Sequence, residues 1–275
     1  MILVTGATGK IGQEVVAGLQ SRGARFRAGL RSPDKARGYE AIAFDFDRPE
    51  TFASALEGVD RLFLLTSGGT EREIPAVEAA RRAGVSRIVK LSVWGAENED
   101  FAFARHHRAV ERALEKSGLA WTFLRPNGFM QNFLGLAGSI RSQSAFYQPG
   151  ADFRYSIIDA RDVAAAAVLA LTEEGHEGRA YRLSGPETLS NVDIADKLSR
   201  AVGKKISAVF VTEDQYTQGL IAAGVPPDYA AEIVDLDRHY RTGACEEVTP
   251  WVGRLTGRAP GSFDAFARDF AGAWK

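Results

Sequence analysis

The sequence predicts an α/β protein in which helices cover both faces of a parallel, doubly wound sheet. Short apolar runs alternate with helical stretches through the first 126 residues. The runs are continuously apolar, as strands buried on both faces are. A glycine-rich segment joins the first run to the first helical stretch. Strands and helices that alternate in this way form βαβ units, whose crossovers place the strands in parallel.

The alternation is regular enough to locate six strands. After the first apolar run, Ile11, Val15 and Leu19 recur at helical spacing, and Gly23 ends that helix. Similar periodic stretches follow each later run. We predict strands at residues 2–5, 25–31, 41–46, 61–66, 87–92 and 121–125.

The pattern changes after Pro126, where strands and helices become shorter and less regular. We predict a helix at 129–140, a strand at 153–158, a helix capped by Asp159, a strand at 180–183 and a helix at 190–202. Residues 1–127 and 153–182 are therefore interpreted as a Rossmann-type nucleotide-binding domain. Residues 128–152 and 183–275 are interpreted as a smaller, mainly C-terminal α/β lobe that binds substrate, with 212–249 as a mobile lid.

The composition excludes several classes of function. Of the 275 residues, 45% are hydrophobic and 25% charged, and the formal net charge is −1. Without a strong positive field, no nucleic-acid partner is expected. The single cysteine, Cys245, cannot form an internal disulfide, and no metal site is expected. No apolar run has the length of a membrane span and no signal peptide precedes the first strand, so we expect a cytoplasmic protein without a membrane partner.

The segment from Gly6 to Gly12 has the glycine spacing of a dinucleotide-binding loop. One glycine permits the tight turn, one lets the backbone approach a pyrophosphate, and one lets helix and strand pack closely. The helix that follows would direct free N–H groups and the positive end of its dipole toward the phosphates. The predicted cofactor contacts here are Gly6, Thr8, Gly9, Lys10, Ile11 and Gly12.

The end of the second strand predicts NADP(H) rather than NAD(H). NAD-binding proteins usually carry an acidic residue there for the ribose hydroxyls, whereas this chain has Arg31, followed by Lys35. An arginine can bind a 2′-phosphate with two hydrogen bonds and stack on adenine. The alternative is a solvated surface arginine.

Other contacts are predicted from the rule that ligands bind at the carboxyl ends of parallel strands. Asp45 and Phe46, at the end of the third strand, are expected beside the adenine. Thr66 and Ser67, after the fourth, are expected beside the ribose next to the nicotinamide. The nicotinamide end is expected to meet a segment after the sixth strand, namely Pro126, Asn127 and Phe129.

Several stretches resemble one family, and together they extend over the whole chain. They are the glycine loop 6–12 and the segments 30–36, 117–132, 161–164, 173–181 and 256–263. They resemble the NmrA-like branch of the atypical short-chain dehydrogenases/reductases, and in particular its bacterial quinone and triphenylmethane reductases. The resemblance implies an NADP(H)-binding protein, in several relatives an enzyme that reduces quinones or dyes, and a monomer or weak homodimer.

The chain departs from the wider superfamily at its catalytic Tyr-x-x-x-Lys motif. The corresponding positions are Phe103 and His107. Reduction of an ordinary ketone generates a strongly basic alkoxide that needs an acid, and phenylalanine cannot donate a proton. Ketone reduction and sugar epimerisation are therefore disfavoured. A quinone yields a delocalised, weakly basic anion, so it remains a plausible acceptor, and so does a function as an NADP(H) sensor that acts through a protein partner.

Three polar residues are candidates for roles in catalysis. His107 matches the superfamily lysine, and the resemblance places it near the ribose or the nicotinamide; alternatively, it is a core histidine on the apolar face of its helix. Ser92 follows the fifth strand and matches the superfamily serine loosely; it is alternatively a backbone partner at the strand end. Asn127 is suited to the nicotinamide carboxamide, or is simply a turn residue.

Aromatic residues are expected to form the walls around a flat aromatic or quinone substrate. Each of them is alternatively a core residue. The candidates are Trp94, Phe146, Tyr147 and Tyr155, together with Phe129.

Overall fold

A computed structural model describes residues 1–36, 38–66 and 70–275. Its strands, in chain order, are β1 (Ile2–Thr5), β2 (Phe26–Leu30), β3 (Ala41–Ala43), β4 (Arg61–Leu64), β5 (Arg87–Leu91), β6 (Ala120–Pro126), β7 (Ala145–Pro149), β8 (Arg154–Tyr155), β9 (Arg179–Leu183), β10 (Leu189–Ser190) and β11 (Ser207–Val211).

The α-helices are α1 (Lys10–Ser21), α2 (Phe52–Leu56), α3 (Glu73–Arg82), α4 (Ala102–Ser117), α5 (Ala137–Gln143), α6 (Ala160–Thr172), α7 (Asn191–Val202), α8 (Glu213–Ala222), α9 (Pro227–Tyr240), α10 (Trp251–Thr256) and α11 (Phe263–Asp269). Short 3₁₀ segments occupy Pro33–Lys35, Pro49–Thr51, Thr70–Arg72, Met130–Leu136 and Ala271–Ala273. Within the described residues, every helix is too short or too polar to cross a membrane.

Seven strands form one parallel sheet in the order β3-β2-β1-β4-β5-β6-β9. β1 lies between β2 and β4, so the strand order reverses beside it. This is the topological switch point at which ligands bind in open α/β sheets. The predicted fold class, a doubly wound parallel sheet, is confirmed.

Helices cover both faces of this sheet. On one face, α1 packs against α6 closely, since a Cβ on Gly18 would lie 2.8 Å from Cγ2 of Val168. Val15 and Leu19 of α1 are fully buried in the same core. On the other face, α2, α3 and α4 bury side chains such as Phe52 against the sheet. Burial on both faces explains why the strands are continuously apolar.

A second core lies outside the large sheet. β7 pairs with β11 in parallel, and β8 pairs with β10 antiparallel. The indole of Trp274 is fully buried and donates to the carbonyl of Phe133 at 3.0 Å. Most of this core comes from residues 130–155 and 189–274, and Trp94 and Ile157 join it. The two-part division of the chain remains a prediction, because this core also draws on segments assigned to the sheet domain.

Several predicted elements are corrected by the structure. The strand predicted at 41–46 ends at Ala43, because the backbone N–H of Asp45 bonds Oγ1 of Thr51. The helix predicted from 129 is a 3₁₀ segment up to Leu136. The strand predicted at 153–158 is reduced to β8, because the N–H of Ser156 bonds a loop carbonyl, that of Cys245.

Helix α9 carries a buried acid, Asp237, at the boundary of the second core. Its Oδ2 is buried without a hydrogen-bond partner among the described residues. Burial raises the pKa of this carboxyl to about 7, against the attraction of Arg241. The folded protein therefore holds a proton here at pH values where the unfolded chain, with an ordinary carboxyl, has lost it.

We predict that Asp237→Asn changes the pH dependence of stability. The wild-type free energy of unfolding loses a contribution as pH rises from about 4 to about 7, because the folded state binds the extra proton in that window. The variant lacks this loss, so its stability relative to wild type should increase by about 3 kcal/mol from pH 4.5 to pH 8. Urea unfolding at the two pH values measures the difference. Asp196→Asn, at an exposed position of α7, is the control; equal behaviour of the two variants would contradict the prediction.

Candidate active site

The glycine loop fits the cradle of a dinucleotide pyrophosphate. Gly6 has a φ of +63°, and its carbonyl accepts the N–H of Gly9 at 2.9 Å, which closes a tight turn. A Cβ on Gly12 would lie 2.1 Å from the carbonyl oxygen of Gly6. Helix α1 then begins at Lys10, and the Gly9 cap supplies no side-chain bond to it. First-turn N–H groups are therefore available to an anion.

The other predicted residues of this loop take different positions. Thr8 and Lys10 are exposed, and Ile11 is buried at the edge of the neighbouring cleft. The ammonium of Lys10 lies 3.3 Å from the carbonyl of Gln131. Lys10 thus links the loop to the 3₁₀ segment that leads into the second core.

Two cations lie beyond β2, beside the switch point. Arg31 directly follows the strand and Lys35 ends the 3₁₀ segment Pro33–Lys35, and both are exposed. Arg31 makes no hydrogen bond or ion pair with the described part of the chain. Beyond β3, Phe46 packs edge-on against Phe44 at 5.2 Å, and Oδ1 of Asp45 accepts a backbone N–H. All four belong to connections that leave the carboxyl ends of β2 and β3.

A cleft of about 690 Å³ opens at the carboxyl ends of β4, β5 and β6. Helices α4 and α9 form its outer wall. Its volume suits a nicotinamide together with a small planar molecule. The apolar and aromatic residues that line it include Leu65, Leu91, Trp94, Phe101, Phe103, Phe129, Tyr229, Leu236 and Tyr240.

The cleft brings together residues predicted for the glycine loop, the nicotinamide end and the substrate walls. Those that line it are Ile11, Thr66, Ser92, Trp94, His107, Pro126, Asn127 and Phe129. The predicted contact Ser67 lies outside the described residues. Thr66 donates its backbone N–H to Oε1 of Glu73 at 3.0 Å.

Three predicted substrate walls are not in this cleft, which corrects the sequence-based assignment. Phe146 is fully buried against Phe133 in the second core. Tyr147 is 37% exposed and bonds Gln143. Tyr155 packs behind Tyr240 at 5.0 Å. Each lies on a strand whose partner is outside the large sheet, so alternation alone could not show which way it faces.

The walls come instead from α4 and α9. Phe103 contacts Tyr229 edge-on, with ring centroids 5.6 Å apart. Tyr229, Glu232, Leu236 and Tyr240 line the cleft from α9. Their helical spacing was the signal in the sequence that could have identified this face. The hydroxyl of Tyr240 lies 2.8 Å from where a Cβ on Gly128 would be, so a larger residue there would require the tyrosine ring to shift.

The amide of Asn127 is fully engaged within the protein. Its Nδ2 donates to Oγ of Ser156 at 3.0 Å and to the carbonyl of Cys245 at 2.9 Å. Its Oδ1 accepts the N–H of Gly128 at 2.8 Å. In this arrangement the side chain fixes the loop after β6, and it has no free donor for a carboxamide.

The hydroxyl of Ser92 is also committed. It donates to Oε1 of Glu111 at 2.7 Å, and that carboxylate is fully buried. Arg125 binds both oxygens of Glu111, at 2.9 and 2.7 Å. A serine proton held by a buried carboxylate is a poor acid, so Ser92 anchors the end of β5 rather than offering a free donor.

A buried chain of charges reaches His107 from the sheet. Lys90 of β5 is fully buried, and its Nζ lies 2.8 Å from Oε2 of Glu73 and 3.2 Å from Nδ1 of His107. Burial and the nearby Lys90 charge hold the pKa of His107 well below its usual range. His107 is therefore a neutral imidazole at neutral pH. Sequence reasoning missed Lys90 and Glu73; the signal was a lysine within the apolar run at residues 88–91.

The single cysteine lies at the floor of the cleft. Burial raises the pKa of the Cys245 thiol to about 12. At neutral pH it is therefore a protonated, unreactive thiol, and its backbone carbonyl is the group that the neighbouring residues use.

A family model for NAD(P)H-binding proteins matches residues 6–174, more than half of the chain. The chain belongs to this NAD(P)H-binding family. The expected cofactor class, NAD(P)H, and the expected enzyme class, an NAD(P)H-dependent oxidoreductase, are confirmed, and so is the resemblance to the quinone and triphenylmethane reductase branch.

Several known proteins are similar to this chain over nearly its full length and nearly their own. NAD(P)H azoreductase of Xenophilus azovorans is 36% identical, with 100% of this chain and 99% of that protein covered. The (4-alkanoyl-5-oxo-2,5-dihydrofuran-3-yl)methyl phosphate reductase of Streptomyces griseus is 39% identical, with the same coverage. The structure of an Escherichia coli NADPH-dependent quinone oxidoreductase complexed with NADPH has a TM-score of 0.89 at 26% identity, covering 98% of this chain and 99% of that one.

We predict that Gly12→Ala abolishes measurable NAD(P)H binding. The added Cβ would meet the Gly6 carbonyl oxygen at 2.1 Å, so the loop must open and its N–H groups lose their arrangement around the pyrophosphate. Calorimetric titration with NADPH measures the loss, and circular dichroism checks the fold. Gly138→Ala is the control, because a Cβ there meets open space. NADPH affinity within about twofold of wild type in Gly12→Ala would contradict this account of the loop.

Proposed function

We propose that this protein transfers hydride from NADPH to a quinone or a similar planar electrophile without a tyrosine acid. The observation that carries the proposal is that Phe103, which the family resemblance aligns with the superfamily tyrosine, lines the cleft. The hydroxyl predicted to act in catalysis, that of Ser92, is held by Glu111. An acceptor whose reduced form needs no acid from the protein suits such a cleft.

In this proposal the protein contributes mainly the relative positions of the cofactor and the acceptor. Bound NADPH supplies the hydride. The glycine loop holds the pyrophosphate, and the aromatic walls Trp94, Phe103 and Tyr229 place a planar acceptor face to face with the nicotinamide. Hydride addition to a quinone leaves a hydroquinone anion with delocalised charge, and water can protonate it.

The preference for NADPH rests on the two exposed cations beyond β2. A 2′-phosphate carries more negative charge than a ribose hydroxyl, and the Arg31 guanidinium can bind two of its oxygens, with Lys35 adding a second charge. No acid stands at this position to accept from the ribose hydroxyls of NAD. The quinone oxidoreductase relative supports this assignment, because it is NADPH-dependent and its complex holds NADPH.

The names of the relatives support a conjugated acceptor. They include an azoreductase and a quinone oxidoreductase, and solved neighbours include a reductase of triphenylmethane dyes. The aromatic lining of the cleft suits a flat ring system. We propose that small aromatic or quinone compounds are the substrates.

We predict that the protein accelerates hydride transfer from NADPH to 1,4-benzoquinone above the uncatalysed rate. Stopped-flow absorbance at the NADPH band measures the reaction, and Gly12→Ala is the inactive control. Phe103→Tyr, which restores the superfamily hydroxyl, should not increase the rate by more than about twofold, because a quinone does not need the acid. If bound NADPH remains intact with quinones and dyes, the alternative gains support: a sensor that binds NADP(H) and acts through a protein partner.

We predict that Arg31→Ala selectively weakens NADPH binding. Loss of charge-assisted hydrogen bonds to the 2′-phosphate, at about 1.5–3 kcal/mol, corresponds to a roughly 10- to 100-fold higher Kd for NADPH. Affinity for NADH, which lacks that phosphate, should change little. Arg48→Ala, an exposed arginine that pairs with Glu50, is the charge-matched control. An equal loss for both cofactors would contradict the assignment of Arg31.

A further inference from the structure

The buried chain that ends at His107 fixes which ring nitrogen carries the proton. The Nζ of Lys90 forms an ion pair with Glu73, 2.8 Å from its Oε2, and is within hydrogen-bond distance of the backbone carbonyl of Leu91 and of Nδ1 of His107, at 3.2 Å. An ammonium has three N–H donors and no acceptor. Nδ1 must therefore accept, and the ring proton of neutral His107 is on Nε2.

The Nε2–H is the group left for a molecule in the cleft. His107 lines the cleft, and in the described part of the chain nothing forms a hydrogen bond with its Nε2. We infer that Lys90 and Glu73 are positioning residues that hold His107 as an Nε2–H donor to the acceptor atom that becomes negative during hydride transfer. This inference rests on the proposed function and adds to it a substrate class, namely compounds that develop negative charge on an oxygen atom when they accept hydride.

The charges around His107 favour the neutral donor over an imidazolium. Lys90 and Glu73 face it from β5 and α3 as an ion pair of opposite charges. His106 is its neighbour on α4, and Glu232 of α9 lies 3.8 Å from that histidine. A proton added to His107 would have to occupy Nδ1, in contact with the Lys90 ammonium. A neutral N–H held in place by Lys90 stabilises developing charge without reorganising, as an oxyanion hole does.

The Nε2–H group of His107 favours hydride acceptors that become negatively charged on an oxygen atom. When hydride from NADPH adds to a carbon of a quinone or another conjugated carbonyl compound, a C–H bond forms and an electron pair moves onto the carbonyl oxygen. That oxygen accepts the Nε2–H bond and then takes a proton from water, while the cofactor leaves as NADP⁺. In a quinone the proton of the new C–H bond is afterwards lost to water and the second carbonyl oxygen gains one, which gives the aromatic hydroquinone. A triarylmethyl cation becomes neutral when it accepts hydride, so no anion forms and His107 has nothing to stabilise. A quinone and a triarylmethyl cation can therefore be compared to test the role of His107, because only the quinone becomes an anion when it accepts hydride.

The first experiment reads the tautomer and needs no turnover. In protein labelled with ¹⁵N-histidine, the His107 signals are assigned by their loss in His107→Gln. We expect the Nε2–H tautomer throughout pH 5.5–8.5 in wild type. The double variant Lys90→Met/Glu73→Gln removes both charges together, because a single change would leave a buried unpaired charge. In it we expect mixed tautomers and a His107 that titrates. An Nδ1–H tautomer or an imidazolium in wild type at pH 7 would overturn the inference.

The second experiment separates the donor role from cofactor binding. Single-turnover hydride transfer is measured with 1,4-naphthoquinone and with a triarylmethyl cation. For the quinone we expect a roughly hundredfold slower rate in His107→Ala and about tenfold in the double variant, with less than about twofold change for the cation. Equal losses for both acceptors, or a matching loss of NADPH affinity, would overturn it. No turnover of either by wild type would defeat the proposed function and the donor role, whereas the tautomer experiment would still decide the positioning role.

Discussion

The close approach of α1 to the end of β1 is the constraint on which the rest of the structure depends. Gly12 has no room for a Cβ, because the Gly6 carbonyl oxygen occupies that space. This contact brings the first turn of α1 to the switch point between β1 and β4. Farther along α1, Gly18 lets α6 pack closely beside it, and α6 leads along the chain to β9, the edge strand of the sheet. The cleft forms beside this junction, where β4, β5 and β6 end.

The sheet could be predicted from the sequence because its signals are local. A continuously apolar strand, a glycine loop and an amphipathic helix each lie within a short window, as in the segment from Ile2 to Leu19. The second core could not be read in this way. β7 pairs with β11 about 60 residues later in the chain. Nothing in the sequence of either strand predicts which strand is its partner. The 3₁₀ segment Met130–Leu136 has helical spacing without an α-helical backbone, so periodicity misassigned it.

The same distinction applies to the candidate site. Phe129 was expected beside the nicotinamide because it follows a strand end, and a parallel sheet gathers those ends at one edge. His107 was expected there from its match to the superfamily lysine, and Trp94 as an aromatic wall. The chain from Glu73 to Lys90 to His107 was not foreseen. It joins three elements through side chains, and a fully buried lysine is rare enough that a sequence-based reading assigns it to the surface. The predictions for Phe146 and Tyr155 were wrong for the reason that applies to the second core. The face on which each side chain lies depends on a partner strand that is distant in the sequence.

The aromatic wall on α9 and the glycine loop belong to separate parts of the chain, and this separation has an evolutionary consequence. Tyr229, Leu236 and Tyr240 lie on one face of a single helix. Replacing these residues would change the shape of the cleft without changing the glycine loop or the sheet, which would hold the NADPH. A lineage with this architecture can therefore acquire new acceptors by changing a few codons within one helix, and relatives that share the scaffold along their whole length can bear names as different as azoreductase and quinone oxidoreductase.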